Sequence, residues 1–133
     1  KTLSECSPHP PALNGLGKVA CLQGEFAKAT HLHKEAMSLL ESTGNRWNTA
    51  FTLEAFANLA VAEGNMERAV RLYGATETFY MQIRYLLSPW DRDRHERNIA
   101  LVRESLGSET FERLWAGGKA LTFDQMIQYA LEV

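Results

Sequence analysis

Cysteine and proline are scarce in this chain, and long apolar runs are absent. Only two of the 133 residues are cysteine, Cys6 and Cys21, and they form no C-x-x-C pair. This usage favours two reduced thiols in a cytoplasmic protein. The apolar stretches are only a few residues long, so we expect neither a membrane-spanning helix nor the apolar core of a secretory signal. Because the chain opens at Lys1 without an initiator Met, we expect a piece of a longer protein.

Neither sign of charge dominates the sequence. Fourteen Lys and Arg residues face sixteen Asp and Glu residues, which gives a formal net charge of −2. Binding to nucleic acid through its phosphates requires a basic surface. The acidic and basic residues of the run 91–98 alternate, which is typical of a solvated helix face. We therefore expect no direct nucleic-acid partner and no membrane partner.

Motifs that carry catalysis or bind metal are also missing. No G-x-S-x-G or H-E-x-x-H pattern occurs. The segments 15–18 and 117–119 resemble pieces of a phosphate-binding loop, but neither has the full spacing. The residues Cys6, His9, Cys21 and His31 match no common zinc spacing. The sequence therefore predicts a protein that is not an enzyme and has no cofactor and no metal site.

What the sequence does contain is helical periodicity divided by glycine and proline. Good helix formers dominate and β-branched runs are absent, which predicts an all-α fold of about seven helices. Pro11 suits the first turn of a helix, and glycines at 24, 44 and 64 suit helix ends. The helices predicted by this punctuation span 11–22, 25–42, 46–63 and 66–86.

The first four predicted helices repeat with a period of 40 residues. Gly24 corresponds to Gly64, and the segment 21–29 aligns on the segment 61–69. A fixed period of this length is typical of a helical solenoid. Small residues recur where two antiparallel helices would approach closely, at Gly17, Ala20 and Ala29 and again at Ala57, Ala60 and Ala69.

The last third of the chain does not repeat. Helices are predicted over 91–106, 109–116 and 123–131, with Ser108 as the N-cap of the second. Gly117 and Gly118 are expected to break that second helix. Thr122 and Gln125 have the spacing of a capping box for the third. We expect these helices to close the end of the solenoid core, with Trp115 as the most buried of the three tryptophans.

The repeated pattern resembles the tetratricopeptide repeat. The first unit carries Leu16-Gly17, Ala20, Gly24-Glu25-Phe26, Ala29 and Ala36, and the second carries Phe56-Ala57, Ala60, Gly64-Asn65-Met66, Ala69 and Tyr73. The resemblance implies a tetratricopeptide-like antiparallel helix-hairpin solenoid with a C-terminal helical cap. The expected organisation is a single helical domain, 1–133, with repeat units at 12–45 and 46–87 and capping helices at 88–133.

A longer resemblance covers residues 12–133. The run Trp115-Ala-x-Gly-x-Ala-Leu-Thr-x-Asp, followed by Ala130-Leu-Glu, is similar to the C-terminal tetratricopeptide-like region of large bacterial signalling ATPases and LuxR-type, maltose-regulator-like transcriptional regulators. The resemblance implies a non-enzymatic scaffold for protein–protein interaction or signal sensing. A small-molecule effector sensor, with a pocket between the repeats and the cap, is the alternative.

Partners and site residues follow from the same repeat. We expect a protein or peptide partner, or other domains of the same chain. We also expect the apolar first helix at the N-terminal edge either to self-associate or to be covered by residues 1–11. His33 is expected to be a packed, hydrogen-bonded core residue, because it occupies the position of Tyr73. By repeat position, the residues that face the inner groove are Asn14, Lys18, Cys21, Leu22, Phe51, Glu54, Asn58 and Val61.

Overall fold

The structure is a computed structural model that describes residues 10–41, 46–83 and 88–132. These ranges are helical throughout, apart from short turns, and contain no strand. The all-α prediction is confirmed, and so is the number of helices within the described ranges. The helices are α1 (Pro10–Leu22), α2 (Phe26–Glu41), α3 (Arg46–Glu63), α4 (Met66–Ile83), α5 (Pro89–Leu106), α6 (Ser108–Lys119) and α7 (Phe123–Leu131).

Two helical hairpins, α1–α2 and α3–α4, turn in the same way. Gly24 and Gly64 adopt left-handed backbone conformations with φ of +81° and +82°, which glycine adopts without steric cost. In the first turn the amide of Glu25 donates to the carbonyl of Ala20 at 2.9 Å. In the second the amide of Asn65 donates to the carbonyl of Ala60 at 2.8 Å. The backbone hydrogen bonds of the two turns therefore repeat with the 40-residue period predicted from the sequence.

The main hydrophobic core lies beside the second hairpin. Helices α3, α4, α6 and α7 supply most of its buried side chains, and Met37 and Val102 join from α2 and α5. A much smaller cluster joins the two hairpins and consists of Ala20, Cys21, Ala29 and Leu59. The first hairpin therefore contributes little to the main core.

Helices α4 and α6 cross at two glycines. A Cβ atom on Gly118 would lie 2.0 Å from the carbonyl oxygen of Arg71, and one on Gly74 would lie 2.4 Å from that of Trp115. Only glycine permits this approach of one backbone to another. The prediction that Gly117 and Gly118 break the helix was wrong, because α6 continues to Lys119. Gly118 instead allows α6 to approach α4 closely.

One further prediction for this region was wrong and one is confirmed. Ser108 is the first residue of α6 rather than its N-cap, because Gly107, with φ of +85°, joins α5 directly to α6. Thr122 and Gln125 form the predicted capping box. Trp115 is only partly buried, and its stacking partner Phe111 fills the core instead. The Trp47 side chain lies outside the described part, so the ranking of the three tryptophans stays a prediction.

The outer face of α1 is apolar and open. Leu13 is buried, but Leu16, Val19 and Leu22 are 54%, 50% and 61% exposed. Cover from residues 1–11 was one expectation for this face, and residues 1–9 lie outside the described part of the chain. Across the described helices, none is both long enough and apolar enough to span a membrane.

Candidate functional site

A cavity of about 260 Å³ lies among α1, α2, α3 and α5. Six of the residues predicted for the groove line it, while Leu22 is exposed on α1 and Val61 packs on the main core. The cavity therefore lies between the two hairpins, and α5 forms another of its walls. Its lining consists of Asn14, Gly15, Lys18, Cys21, His33, Phe51, Glu54, Ala55, Asn58, Asp91 and Arg94.

An ion pair joins the first repeat to α5 at this cavity. Lys18 Nζ lies 2.6 Å from Asp91 Oδ1, and each side chain is about one-third exposed. Ser88 holds Asp91 in place, because its hydroxyl donates to Asp91 Oδ2 at 3.0 Å and accepts from the Asp91 amide. Asp91 also lies in the first turn of α5, where the helix dipole favours a carboxylate. The positive charge of Lys18 is thereby matched.

His33 forms the buried wall of the cavity on the α2 side. Its Nδ1 lies 3.0 Å from Asn14 Oδ1, and Asn14 Nδ2 donates to Thr52 Oγ1 at 2.8 Å. Burial, and secondarily the positive charge of Arg94, lower the pKa of His33 from 6.5 to about 4. The imidazole is therefore neutral near pH 7, and the prediction of a packed, hydrogen-bonded histidine is confirmed.

The glycine that faces His33 makes room for its ring. A Cβ atom on Gly17 would lie 2.6 Å from His33 Cε1. His33 in turn contacts Phe56 of α3, with ring centroids 5.6 Å apart. The ring thus bridges the first hairpin and the second.

Glu54 and His95 form a buried pair behind the cavity. His95 Nδ1 lies 2.7 Å from Glu54 Oε2, and both side chains are 7% exposed. The other carboxylate oxygen, Glu54 Oε1, is buried and has no hydrogen-bond partner among the described residues. An unpaired buried oxygen of this kind is costly for a folded protein.

Arg94 also reaches the cavity with few contacts of its own. Its Nη2 lies 4.0 Å from Cys21 Sγ, a weak contact for a guanidinium. Within the described ranges, Arg94 forms no ion pair with a carboxylate. Arg94 is therefore an under-used cation at the cavity, whereas the unpaired Glu54 oxygen behind it is closed to solvent.

A network of uncharged hydrogen-bonding side chains surrounds Asn58 in the wall of the cavity. The Tyr73 hydroxyl donates to Asn58 Oδ1 at 2.5 Å, and Asn98 Nδ2 donates to the same oxygen at 3.0 Å. Burial, and then the negative charge of Glu54, raise the pKa of Tyr73 well above its ordinary value. Tyr73 therefore stays protonated and fixes the Asn58 amide.

Sequence reasoning missed the contribution of α5. Asp91 and Arg94 belong to a run of alternating charges that predicts a solvated face, and Asp93, Glu96 and Arg97 of that run are indeed exposed. Repeat position cannot place a helix that lies outside the repeat. Groups of three or more potential metal ligands do not occur within the described residues.

The helical-hairpin fold defines a class of protein. The tetratricopeptide repeat family model matches residues 10–82, and this chain belongs to that family. Tetratricopeptide repeats form non-enzymatic scaffolds that generally mediate protein–protein interaction.

Among curated proteins, the chain is similar to transcription regulators. Three relatives, one from Mycobacterium bovis and two from Mycobacterium tuberculosis (strains CDC 1551 and H37Rv), are named "Putative HTH-type transcriptional regulator" and are 37% identical over 79 residues. The match covers 59% of this chain and 9% of each relative. No solved structure matches the chain at a significant level.

Proposed function

We propose that this chain is the signal-sensing scaffold of a larger regulator and that it binds a small effector between its repeats and α5. The observation that carries the proposal is the cavity of about 260 Å³ to which both hairpins and α5 contribute. An open peptide groove would be free along its length, whereas here the ion pair of Lys18 and Asp91 crosses from α1 to α5. The geometry therefore favours a small effector over an extended peptide.

The cavity also offers a means of transmitting the signal. A ligand there would contact the repeats through Asn58 and the C-terminal helices through Arg94. A ligand shifts a conformational equilibrium only by its difference in affinity for the two states. A ligand that contacts both parts has such a difference whenever α5 moves relative to α3.

The test compares two methionine variants of α3. Ala55 lines the cavity and Ala62 is exposed near the end of the same helix, so Ala55→Met fills the cavity while Ala62→Met serves as the matched control. A library of small polar metabolites is screened by thermal unfolding. At a hundred times its Kd, a ligand stabilises the folded state by about 2.7 kcal/mol.

We expect at least one compound to raise the unfolding temperature of the wild type and of Ala62→Met but not that of Ala55→Met. Circular dichroism before the screen establishes that both variants are folded. Equal stabilisation of both variants, or no stabilising compound, would contradict binding in the cavity.

A protein partner at the N-terminal edge is the second candidate function. The observation that favours it is the apolar face of α1, where Leu16, Val19 and Leu22 are at least half exposed. A contiguous apolar surface of this kind is typical of interaction sites. In sedimentation experiments we expect the chain to self-associate at high concentration and Leu16→Glu to remain monomeric. A wild-type monomer at all concentrations would remove self-association from the proposal.

A further inference from the structure

The charged groups that line the cavity have charged partners, with Arg94 as the exception. Lys18 and Asp91 form an ion pair at 2.6 Å. The Glu54 carboxylate is paired with His95 behind the cavity, and its second oxygen is closed to solvent. Arg94 lines the cavity and forms no ion pair with a carboxylate of the described residues. Its guanidinium therefore has bonding capacity that the described part of the chain does not use.

The side-chain amide nitrogen of Asn58 is a second unused donor at the cavity. Tyr73 and Asn98 both donate to Asn58 Oδ1, at 2.5 and 3.0 Å, so the amide is fixed through its oxygen. Asn58 Nδ2 has no hydrogen-bond partner among the described residues. Two unpartnered polar side-chain atoms of those residues are closed to solvent, and neither Asn58 Nδ2 nor an Arg94 nitrogen is one of them. Both donor groups are therefore open to a molecule in the cavity.

The fold brings these two donor groups close together. Asn98, one helical turn after Arg94 on α5, contacts Asn58 at 3.0 Å. Arg94 Nη2 lies 4.0 Å from Cys21 Sγ. Cys21 packs in the small cluster with Leu59, the residue after Asn58. The guanidinium therefore reaches from α5 towards the part of α3 that carries Asn58.

Two neighbouring N–H donor groups, one of them a cation, match a ligand group that only accepts hydrogen bonds. A carboxylate is such a group, and the planar guanidinium of arginine matches its two oxygens. The hydrogen bonds formed are charge-assisted and about twice as strong as those between neutral groups. A second negative group on the ligand would be repelled by Asp91 and Glu54, which also line the cavity, and Lys18 is already paired. The lining therefore favours a ligand with a single negative charge.

The apolar part of the lining determines the rest of the ligand. Phe51, Ala55 and Asn58 line the cavity and follow one another at spacings of four and three residues, so they share one face of α3. Phe51 lies seven residues before Asn58, which is about 10 Å along a helix. The cavity volume of about 260 Å³ lies just below the range of about 300–1,000 Å³ typical of sites for drug-sized ligands. A short hydrocarbon chain or one aromatic ring fits this space, whereas a peptide of several residues exceeds it.

We infer that the cavity binds a small free monocarboxylate, with the ligand's carboxylate on Arg94 and Asn58 and its apolar body along Phe51 and Ala55. This inference rests on the effector-sensing function proposed above and specifies its ligand class. Arg94 belongs to α5 and Asn58 to α3, so the carboxylate would tie the C-terminal helices to the second repeat.

The experiment titrates the intact chain calorimetrically with straight-chain carboxylates from acetate to octanoate and with benzoate and phenylacetate. For the acid that binds most tightly, three matched probes follow: its primary amide, the corresponding amine and a dicarboxylate of the same length. We expect each probe to bind at least tenfold more weakly than the acid. The amide and the amine lose the charge match with Arg94, and the dicarboxylate meets Asp91. A short peptide with a free C-terminal carboxylate, titrated alongside, should also bind more weakly, because the cavity is too small for it.

Matched variants test the two donor groups. We expect Arg94→Gln and Asn58→Asp each to weaken binding of the best acid at least tenfold. Asn58→Asp keeps an oxygen for the two hydrogen bonds that fix this side chain and replaces the amide donor with a negative oxygen. Arg97→Gln, on the exposed face of α5, and Asn65→Asp, in the exposed turn before α4, make the same chemical changes elsewhere and should leave the affinity unchanged. Thermal unfolding establishes that each variant is folded, and Arg94→Gln keeps the test valid if Asn58→Asp does not fold.

The results that would overturn the inference differ in what they imply for the proposed function. If no carboxylate binds, while an uncharged or cationic library compound stabilises the wild type but not Ala55→Met, the ligand class is wrong and the cavity remains a sensor site. If neither carboxylates nor any library compound binds, both the inference and the sensing function fail. Unchanged affinity for the best acid in folded Arg94→Gln, or tighter binding of the peptide than of any free acid, would also contradict the inference.

Discussion

The two hairpins share one backbone design and differ in how they are buried. Leu16 and Phe56 occupy equivalent positions 40 residues apart, yet Leu16 is 54% exposed and Phe56 is 1% exposed. Val19 and Leu59 show the same contrast, with exposures of 50% and 2%. The second hairpin is covered by the first on one side and by α6 and α7 on the other, whereas among the described helices none covers the outer face of α1. Position in the array, rather than residue type, decides burial.

The buried rings of the two hairpins show a second contrast. His33 and Tyr73 are equivalent, and both are essentially inaccessible to solvent. His33 contacts the amide of Asn14, whereas Tyr73 donates to Asn58, one helical turn later in its own repeat. The first-repeat equivalent of Asn58 is Lys18. Because the first repeat does not need Lys18 to hold its ring, Lys18 is available to pair with Asp91.

Deleting the helices that cover the second hairpin should have the largest effect on the stability of the fold. We propose that residues 88–133 act as the cap of the array, since Phe111, Leu114 and Ile127 belong to the main core. Deleting residues 108–133 would expose α4 as α1 is exposed now, and with far more apolar surface. We expect loss of cooperative unfolding by circular dichroism and aggregation in size-exclusion chromatography. A folded, monomeric product would show that the segment is a detachable module.

The contrast between equivalent positions can be measured directly. Phe56→Ala removes a fully buried ring and should cost about 3–5 kcal/mol of unfolding free energy. Leu16→Ala, at the equivalent exposed position, should cost less than about 0.5 kcal/mol. Urea denaturation of both variants gives the two values. Similar costs would mean that the face of α1 is covered in solution.

The glycine crossing fixes α6 against the second hairpin and should be nearly as sensitive. Gly118→Ala places a methyl group against the backbone of Arg71, so we expect a loss of about 3 kcal/mol. Gly117→Ala is the control on the same helix, because a Cβ there meets nothing within 4 Å. It should stabilise the helix by up to about 1 kcal/mol, since alanine has the higher helix propensity. Equal effects of the two substitutions would contradict the close crossing.

The buried ring of the first hairpin, His33, should make the stability of the fold depend on pH. The buried ring of the second, Tyr73, should not do so near neutral pH. The folded-state pKa of His33 is about 4 and its unfolded value is 6.5. Between these pH values the unfolded chain binds a proton that the folded chain does not, so stability falls as the pH falls. At about 1.36 kcal/mol for each pH unit, we expect a loss of about 2–3 kcal/mol from His33.

Urea denaturation at several pH values between 4 and 7 measures this slope. His33→Asn removes the titrating group, so its stability should vary less with pH than that of the wild type. Parallel pH profiles for the two proteins would show that His33 is not the source.

Most local features of the fold followed from the sequence, whereas the close contact between α4 and α6 did not. Gly24, Gly64 and the pair Thr122–Gln125 act through neighbours in the chain, and their roles were predicted correctly. Gly118 looked like a helix breaker because its partner, Arg71, is distant in sequence and contacts it only through the backbone.

The candidate site divides in the same way. Repeat position placed Asn14, Lys18 and Glu54 on one face, and the structure brings all three to the cavity. Arg94 comes from a helix outside the repeat, so no repeat position could place it beside α1 and α3. The binding role of these residues is a proposal.

The matching turns at Gly24 and Gly64 have a consequence for how such arrays change length. The two turns have the same backbone geometry and lie 40 residues apart in the chain. Inserting or removing one whole unit would therefore keep every helix in phase with its neighbours, since each repeat contacts mainly the adjacent ones. A single residue inserted inside a helix would instead rotate the following face by about 100°. The 40-residue spacing of the turns therefore sets the step in which such an array can lengthen.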